Sequence, residues 1–242
     1  MTSISTLLTA RVHFGHHMRQ WNSKMAPFIY GVRHDIHIFD LVKVKQCIEK
    51  MQVLLYDIGY MSNREILFVG SHTHAYTAIE ECATVCSRYM GPRTHYINYR
   101  WIGGLLTNYR TIKKCIQKYQ QLEDQLEKGL LSTLSKKESR YVLRQHGRLQ
   151  KSFSGVRYMR NLPDFVFIVG QKHEMNAIKE CQKLSIPTIG IVDTDCDPDL
   201  LDFPIPGNDD SARSIRCILS SCAHAFVSGS LASTSTSFSA PT

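Results

Sequence analysis

Seven carboxylates crowd the stretch Asp193-Thr-Asp-Cys-Asp-Pro-Asp199 and the nearby Asp202, Asp209 and Asp210. Clustered carboxylates can bind Mg²⁺ or exchange protons as a general acid and base. The same residue types also have structural uses. Asp197-Pro198 and Asn208-Asp-Asp suit turns and helix caps, and Asp209 or Asp210 can complement the N-terminus of a following helix. No nucleophile, base and orienting group accompany them, so catalysis is the weakest reading. No resident cofactor is expected, and an RNA-associated Mg²⁺ is the only ion the pattern suggests. Two loops, Gly70-Ser-His-Thr-His74 and Gly170-Gln-Lys-His173, follow apolar runs where a phosphate could sit. Neither carries a complete dinucleotide fingerprint or a P-loop. Cys82-x-x-x-Cys86 would place two ligands one helical turn apart, but no second Cys/His pair of metal spacing follows. The eight cysteines therefore read as reduced core thiols. His13, His16, His17, His34 and His37 read as packing or hydrogen-bonding groups, and no metal site is expected.

The cations carry more information. Residues 109–160 hold thirteen Lys/Arg against four Asp/Glu, whereas residues 161–242 hold five against ten. The middle segment's +9 exceeds the whole chain's +8, so the basic charge is local and points to a polyanionic partner. Candidate phosphate contacts there are Lys113, Lys114, Lys118, Lys136, Lys137, Arg140, Arg144, Arg148, Lys151, Arg157 and Arg160, with Arg100 just before them. A second set, Arg11, Arg19, Lys24 and Arg33, is interleaved with Phe14, Trp21, Phe28 and Tyr30, with no acid before Asp35. Flat rings beside cations suit RNA, with Trp21 a candidate for stacking. The pattern suggests that these rings pack inward and the cations face out.

The elements that must hold these groups follow from periodicity. Residues 1–38 read as a basic, aromatic arm, an extension more than a sheet element. Apolar strands at 65–71, 94–98, 164–170, 187–193 and 203–206 alternate with helices at about 41–60, 73–89, 174–184 and 210–227. Such alternation implies an α/β body, residues 39–107 and 161–228, with a parallel sheet covered on both faces. The connection between the second and third strands is too long for an ordinary crossover. Its apolar positions recur at three and four, from Ile112 to Leu126 and again from Val142 to Val156. That spacing predicts a two-helix antiparallel hairpin over 108–160. Between body and hairpin lies a joint of Trp101, Gly103, Gly104 and Asn108: an aromatic wedge, a flexible pair and a helix-capping side chain. The Ser/Thr-rich residues 229–242 read as a disordered tail. No run long enough to cross a membrane, no secretory signal and no Arg-rich leader are recognised.

Five blocks in fixed order resemble one family: HFGHHMRQWNSKMAPFIYG from His13, GVRHDIHIFDL from Gly31, YINYRWIGGLLTNYRTIKK from Tyr96, LPDFVFIV from Leu162, and IPTIGIVDTDCDPDLLDFPIPGNDDSARSI from Ile186. They resemble the bacterial-type small-subunit ribosomal protein S-two family, organellar members included. The resemblance implies a flavodoxin-like, doubly wound, five-stranded parallel sheet with an inserted coiled-coil hairpin. It also implies a non-catalytic protein between head and body of the small subunit, contacting rRNA and neighbouring subunit proteins. Bacterial members help recruit the large RNA-binding protein S-one. No membrane and no small-molecule substrate are implied. The implied location is a ribosome in a mitochondrion or plastid, with a bacterial cytoplasm as the alternative. Gly170 departs from the acidic residue usual after the third strand. The competing class is an α/β nucleotide-binding protein or enzyme using the strand-end loops, and a third is a hairpin adaptor that binds protein alone.

Overall fold

The computed structural model describes residues 3–61, 64–129 and 134–238. A short helix, α1 (Ile4–Thr9), opens the described chain; Ser3 caps it by accepting from the Thr6 N–H. Then come β1 (Phe14–His17), β2 (Ile29–Arg33) and β3 (Ile36–Phe39), an antiparallel sheet of order β1-β3-β2. The arm is thus a small sheet of its own, not a plain extension. Short strands with Gly31 and the left-handed pair His34-Asp35 turn the chain back on itself. The inward-ring expectation is corrected as well: Phe14, Trp21 and Tyr30 are exposed, and Tyr30 is 81% accessible. The arm's buried side chains are instead Leu7, Val12, Met25 and His37, with Phe39 just beyond it.

The body follows with α2 (Leu41–Tyr60), β4 (Ile66–Val69), α3 (Tyr76–Met90) and β5 (Thr94–Ile97). Next come the inserted helices α4 (Tyr109–Glu127) and α5 (Lys136–Phe153). The chain closes with β6 (Phe165–Ile168), α6 (Met175–Leu184), β7 (Thr188–Val192), β8 (Phe203–Pro206) and α7 (Ala212–Phe238). The second sheet has the order β5-β4-β6-β7-β8, and every pair in it is parallel. Strand direction of build-up reverses between β4 and β6, which is the flavodoxin-like order. Ile66–Val69, Val166–Ile168 and Thr188–Val192 are buried throughout, as strands covered on both faces must be. His95 on β5 is buried beside Glu65, and burial pushes its pKa down to about 4.

Both edges of this sheet are blunted. On β8, Pro204 and Pro206 have no N–H to offer. On β5, a 3-10 turn (Ser154–Val156) after α5 lies against the strand, and a Cβ at Gly155 would stand 2.1 Å from the Tyr96 carbonyl oxygen. That position tolerates only glycine.

Helix α7 packs against both α2 and α3. It is long and apolar enough to cross a membrane, yet its apolar residues Ile215, Ile218, Leu219, Cys222, Phe226 and Val227 are buried in this packing. It also runs past the Val227 end read from the sequence. Two glycines explain this. A Cβ on Gly229 would lie 2.0 Å from the Tyr56 carbonyl oxygen, and one on Gly59 2.1 Å from that of Phe226. The α2 and α7 backbones cross in near contact there, and Ser230 is buried. Residues 229–238 are therefore helix, not a disordered tail, because the crossing rewards the continuation. The expected tail's last residues, 239–242, and the hairpin turn at 130–133 lie outside the described residues.

Candidate nucleic-acid interface

The joint is built around a residue that no local pattern reveals. Glu180 of α6 projects under the loop before α4. Its Oε1 accepts from the Trp101 indole Nε1 at 3.0 Å and from the Gly104 N–H at 2.7 Å. Its Oε2 accepts from the Leu106 and Thr107 N–H groups at 2.9 and 3.1 Å and from the Thr107 hydroxyl at 3.2 Å. Burial opposes the charge, but these donors outweigh it and hold the carboxyl below the usual range. One carboxylate thereby satisfies backbone groups at the start of the hairpin that would otherwise lack partners. Trp101 is buried, consistent with a wedge. The glycine pair divides in function. Gly104 has φ +84°, where a side chain is strained, while a Cβ on Gly103 would meet open space. The expected Asn108 cap is corrected: its side chain makes no capping hydrogen bond to the helix and instead accepts from the Thr111 hydroxyl at 2.8 Å.

The base of the hairpin is zipped to the returning chain. Tyr109 donates its hydroxyl to the Met159 carbonyl at 2.8 Å, and Gln120 donates to that of Arg157 at 2.7 Å. Two predicted phosphate contacts belong to this zipper. Lys113 donates to the Arg160 carbonyl at 3.0 Å, and half-buried Arg157 pairs with Glu123 at 2.8 Å. Arg157 thereby has its charge met inside the protein and is corrected to a positioning residue, whereas Lys113 helps to hold the base while staying exposed, its charge bonded only to a neutral carbonyl. Farther out, α4 contributes buried Ile112, Ile116, Tyr119 and Leu122, but α5 buries only Phe153 fully. Arg100, Lys114, Lys118, Lys136, Lys137, Arg140, Arg144, Arg148 and Arg160 are exposed. Lys151 is exposed as well and lies over the Tyr99 ring at 5.7 Å from its centroid.

In the arm, Arg11, Arg19 and Arg33 are exposed, and Arg11 adopts a left-handed backbone, φ 61°. Trp21 leans on the His37 ring at 5.2 Å and keeps 42% of its surface accessible. Lys24 is corrected: it is no free cation, because Asp197 and Asp199 both hold its ammonium at 2.8 Å. His16 is no lone packing histidine either. Its ring nitrogens lie 3.2 Å from Asp193, 3.7 Å from Asp195 and 3.2 Å from Asp210. The Asp193 contact and the surrounding carboxylates raise its pKa to about 9 against the opposing effect of burial. Half-buried Asp209 is pushed up to about 8 by desolvation and by the neighbouring Asp193, Asp210 and Asp195. The acidic stretch thus receives the arm, reinforced by the His16 N–H on the Thr194 hydroxyl and the Asn22 N–H on the Thr194 carbonyl. Donor atoms of His16, Asp193 and Asp209 lie within 4.8 Å of one another, so this spacing also admits a divalent cation. The strand-end loops bring His72 and His173 into the same small pocket, with ring centroids 4.8 Å apart. The pocket holds about 40 Å³, too small for a nucleotide, and its lining sets Asp195, Asp209 and Asp210 against His16 and Lys172.

Two basic surfaces on an α/β body, with an acidic recess occupied by the chain itself, can be set beside known proteins. The profile described as Ribosomal protein S2 matches residues 7–229. The chain belongs to the ribosomal protein S2 family. Similar S2 proteins include small ribosomal subunit protein uS2 of Synechococcus elongatus, 46% identical over 223 residues that cover 92% of this chain and 86% of that one. Small ribosomal subunit protein uS2c of Mesostigma viride is 45% identical and covers 93% and 96% of the two chains. Its counterpart uS2c of Cyanophora paradoxa is 43% identical and covers 97% and 98%. For an S2 family member, the hairpin and the exposed rings and cations of the arm are the surfaces to weigh first.

Proposed function

We propose that this chain is a structural constituent of the small ribosomal subunit that binds rRNA through the hairpin and the arm and also contacts neighbouring subunit proteins. Its role is architectural, with no reaction to catalyse. The observation that carries this reading is the segregation of charge. The cations of the hairpin stand exposed on a projecting element, while the acids near Asp193 are turned onto the protein's own arm. Phosphate contacts of this kind release counterions, so binding weakens steeply with salt. Cyanobacterial and plastid-type relatives favour a plastid ribosome over a mitochondrial one. Ultraviolet crosslinking of the assembled particle tests the reading. Crosslinks from hairpin and arm peptides to small-subunit rRNA are expected. Crosslinks confined to protein would overturn it in favour of an adaptor.

A further inference from the structure

Helix α5 concentrates its charge on one face. At about 100° per residue, Lys136, Arg140, Lys151, Arg144, Lys137 and Arg148 fall within an arc of about 120°. The half-buried seam of Val142, Gln145 and Leu149, with Phe153, lies opposite that arc. The one acid of α5, Glu138, is outside the arc and is engaged in the capping box with Ser135. Among the described residues, none of Lys136, Lys137, Arg140, Arg144 and Arg148 has an ion-pair partner. Lys136, Arg140, Arg144 and Arg148 follow one another at four-residue steps, a cation about every 6 Å along the axis. That interval is comparable to the separation of neighbouring phosphates on one nucleic-acid strand.

Helix α4 differs. Its exposed row of Arg110, Lys114 and Lys118 gives way in its outer half to Gln121, Asp124 and Gln125. No aromatic residue of α5 itself falls inside the basic arc, and a ring from outside the helix, Tyr99, lies under Lys151 at the inner end. Tyr141, 69% accessible, stands at its margin. Unpaired bases need flat partners to stack on, whereas a duplex presents phosphates and ribose. The arm has the rings, and α5 has only the charges.

We infer that the outward face of α5 is a phosphate track that lies along one backbone of double-stranded RNA without reading bases, while α4 serves as its support. This rests on the RNA-binding reading above and assigns it to one face and one RNA class. The test uses the full chain and two 16-nucleotide probes, an RNA duplex and a single strand, titrated over a range of salt. The variant K136Q/R140Q/R144Q/R148Q should lower the log–log salt slope for the duplex by about 3. R110Q/K114Q/K118Q should lower it by less than about 1. R140K/R144K/R148K should keep the wild-type slope, and unchanged circular dichroism should accompany all three variants. An unaltered slope in the α5 variant, or an equal loss in the α4 variant, overturns the assignment to α5. Tighter binding of the single strand, relieved by Tyr141→Ala, overturns the duplex class. Wild-type protein that binds neither probe would overturn both this inference and the reading it rests on.

Discussion

The hairpin and the arm are both basic, and they use that charge differently. The hairpin projects from the body, buries little, and keeps most of its cations free. The arm lies on the body and spends two of its positive groups there, Lys24 on Asp197 and Asp199, and His16 on Asp193 and Asp210. Its remaining cations stand beside exposed rings. Under the proposed function, charge of one sign performs two jobs, attachment to an RNA and attachment to self. Only the partner of each cation distinguishes them.

The two regions are also held by different chemistry, and that difference can be broken experimentally. The largest effect is expected from Gly155→Ala. Its Cβ would meet a backbone oxygen that cannot rotate away. The hairpin base should lift from the β5 edge at a cost of about 3 kcal/mol, visible as a lower Tm while the arm keeps its protection in hydrogen exchange. Glu180→Ala comes next. It leaves the Gly104, Leu106 and Thr107 N–H groups and the Trp101 indole without their acceptor, a loss of about 2–3 kcal/mol. Exchange should quicken at residues 101–107 and not in β1–β3.

The same pair of anchors should respond to pH in opposite directions. Glu180 has a depressed pKa, so its contribution is present above the ordinary carboxylate range and fades as pH falls through its lowered value. His16 has a raised pKa, so its contribution is complete below 6.5 and fades as pH rises through about 9. Allowing for its partial exposure, that loss is about 1–2 kcal/mol. Limited proteolysis in buffer containing EDTA should find the hairpin base loosening in acid and the His16 end of the arm, residues 13–17, loosening in base. The Lys24–Asp197 contact should fade in acid like Glu180. Loss of the hairpin base and the His16 end in the same direction would show that a single global transition governs them. A smaller contrast separates the two glycines of the joint. Gly104→Val should hamper incorporation into subunits because of its positive φ, and Gly103→Val should be tolerated. The smallest effect belongs to Lys24→Ala, which should leave RNA affinity nearly unchanged while raising protease sensitivity at residues 18–28.

Much of this was legible in the chain. The three central strands, Ile66–Val69, Phe165–Ile168 and Thr188–Val192, carry nearly continuous apolar runs, and burial on both faces of a parallel sheet demands such runs. The hairpin showed in the three–four repeat from Ile112 onward, and its charge in a simple count. What stayed hidden was pairing across distance. Glu180 is 73 residues from Thr107, and nothing near either residue announces the other. Lys24 and His16 looked like free or neutral groups because their carboxylates arrive from the far end of the chain. The helical continuation past Val227 was masked by Ser and Thr. Its cause is a backbone crossing at Gly59 and Gly229, which hydropathy does not register. Gly155 carries no local signal for the same reason: its neighbour, the Tyr96 carbonyl, lies far away in the chain.

Under the proposed function, free charge on the hairpin, and not the arm's acid-paired cations, ties this protein to the small subunit. Gradient sedimentation of ribosomal particles from cells expressing tagged chains tests it most directly. Wild type and Lys24→Ala should migrate with the small subunit, and K136Q/R140Q/R144Q/R148Q should remain in the soluble fractions at the top. Normal migration of that quadruple variant, or wild type found only at the top, would contradict attachment through the hairpin's charge.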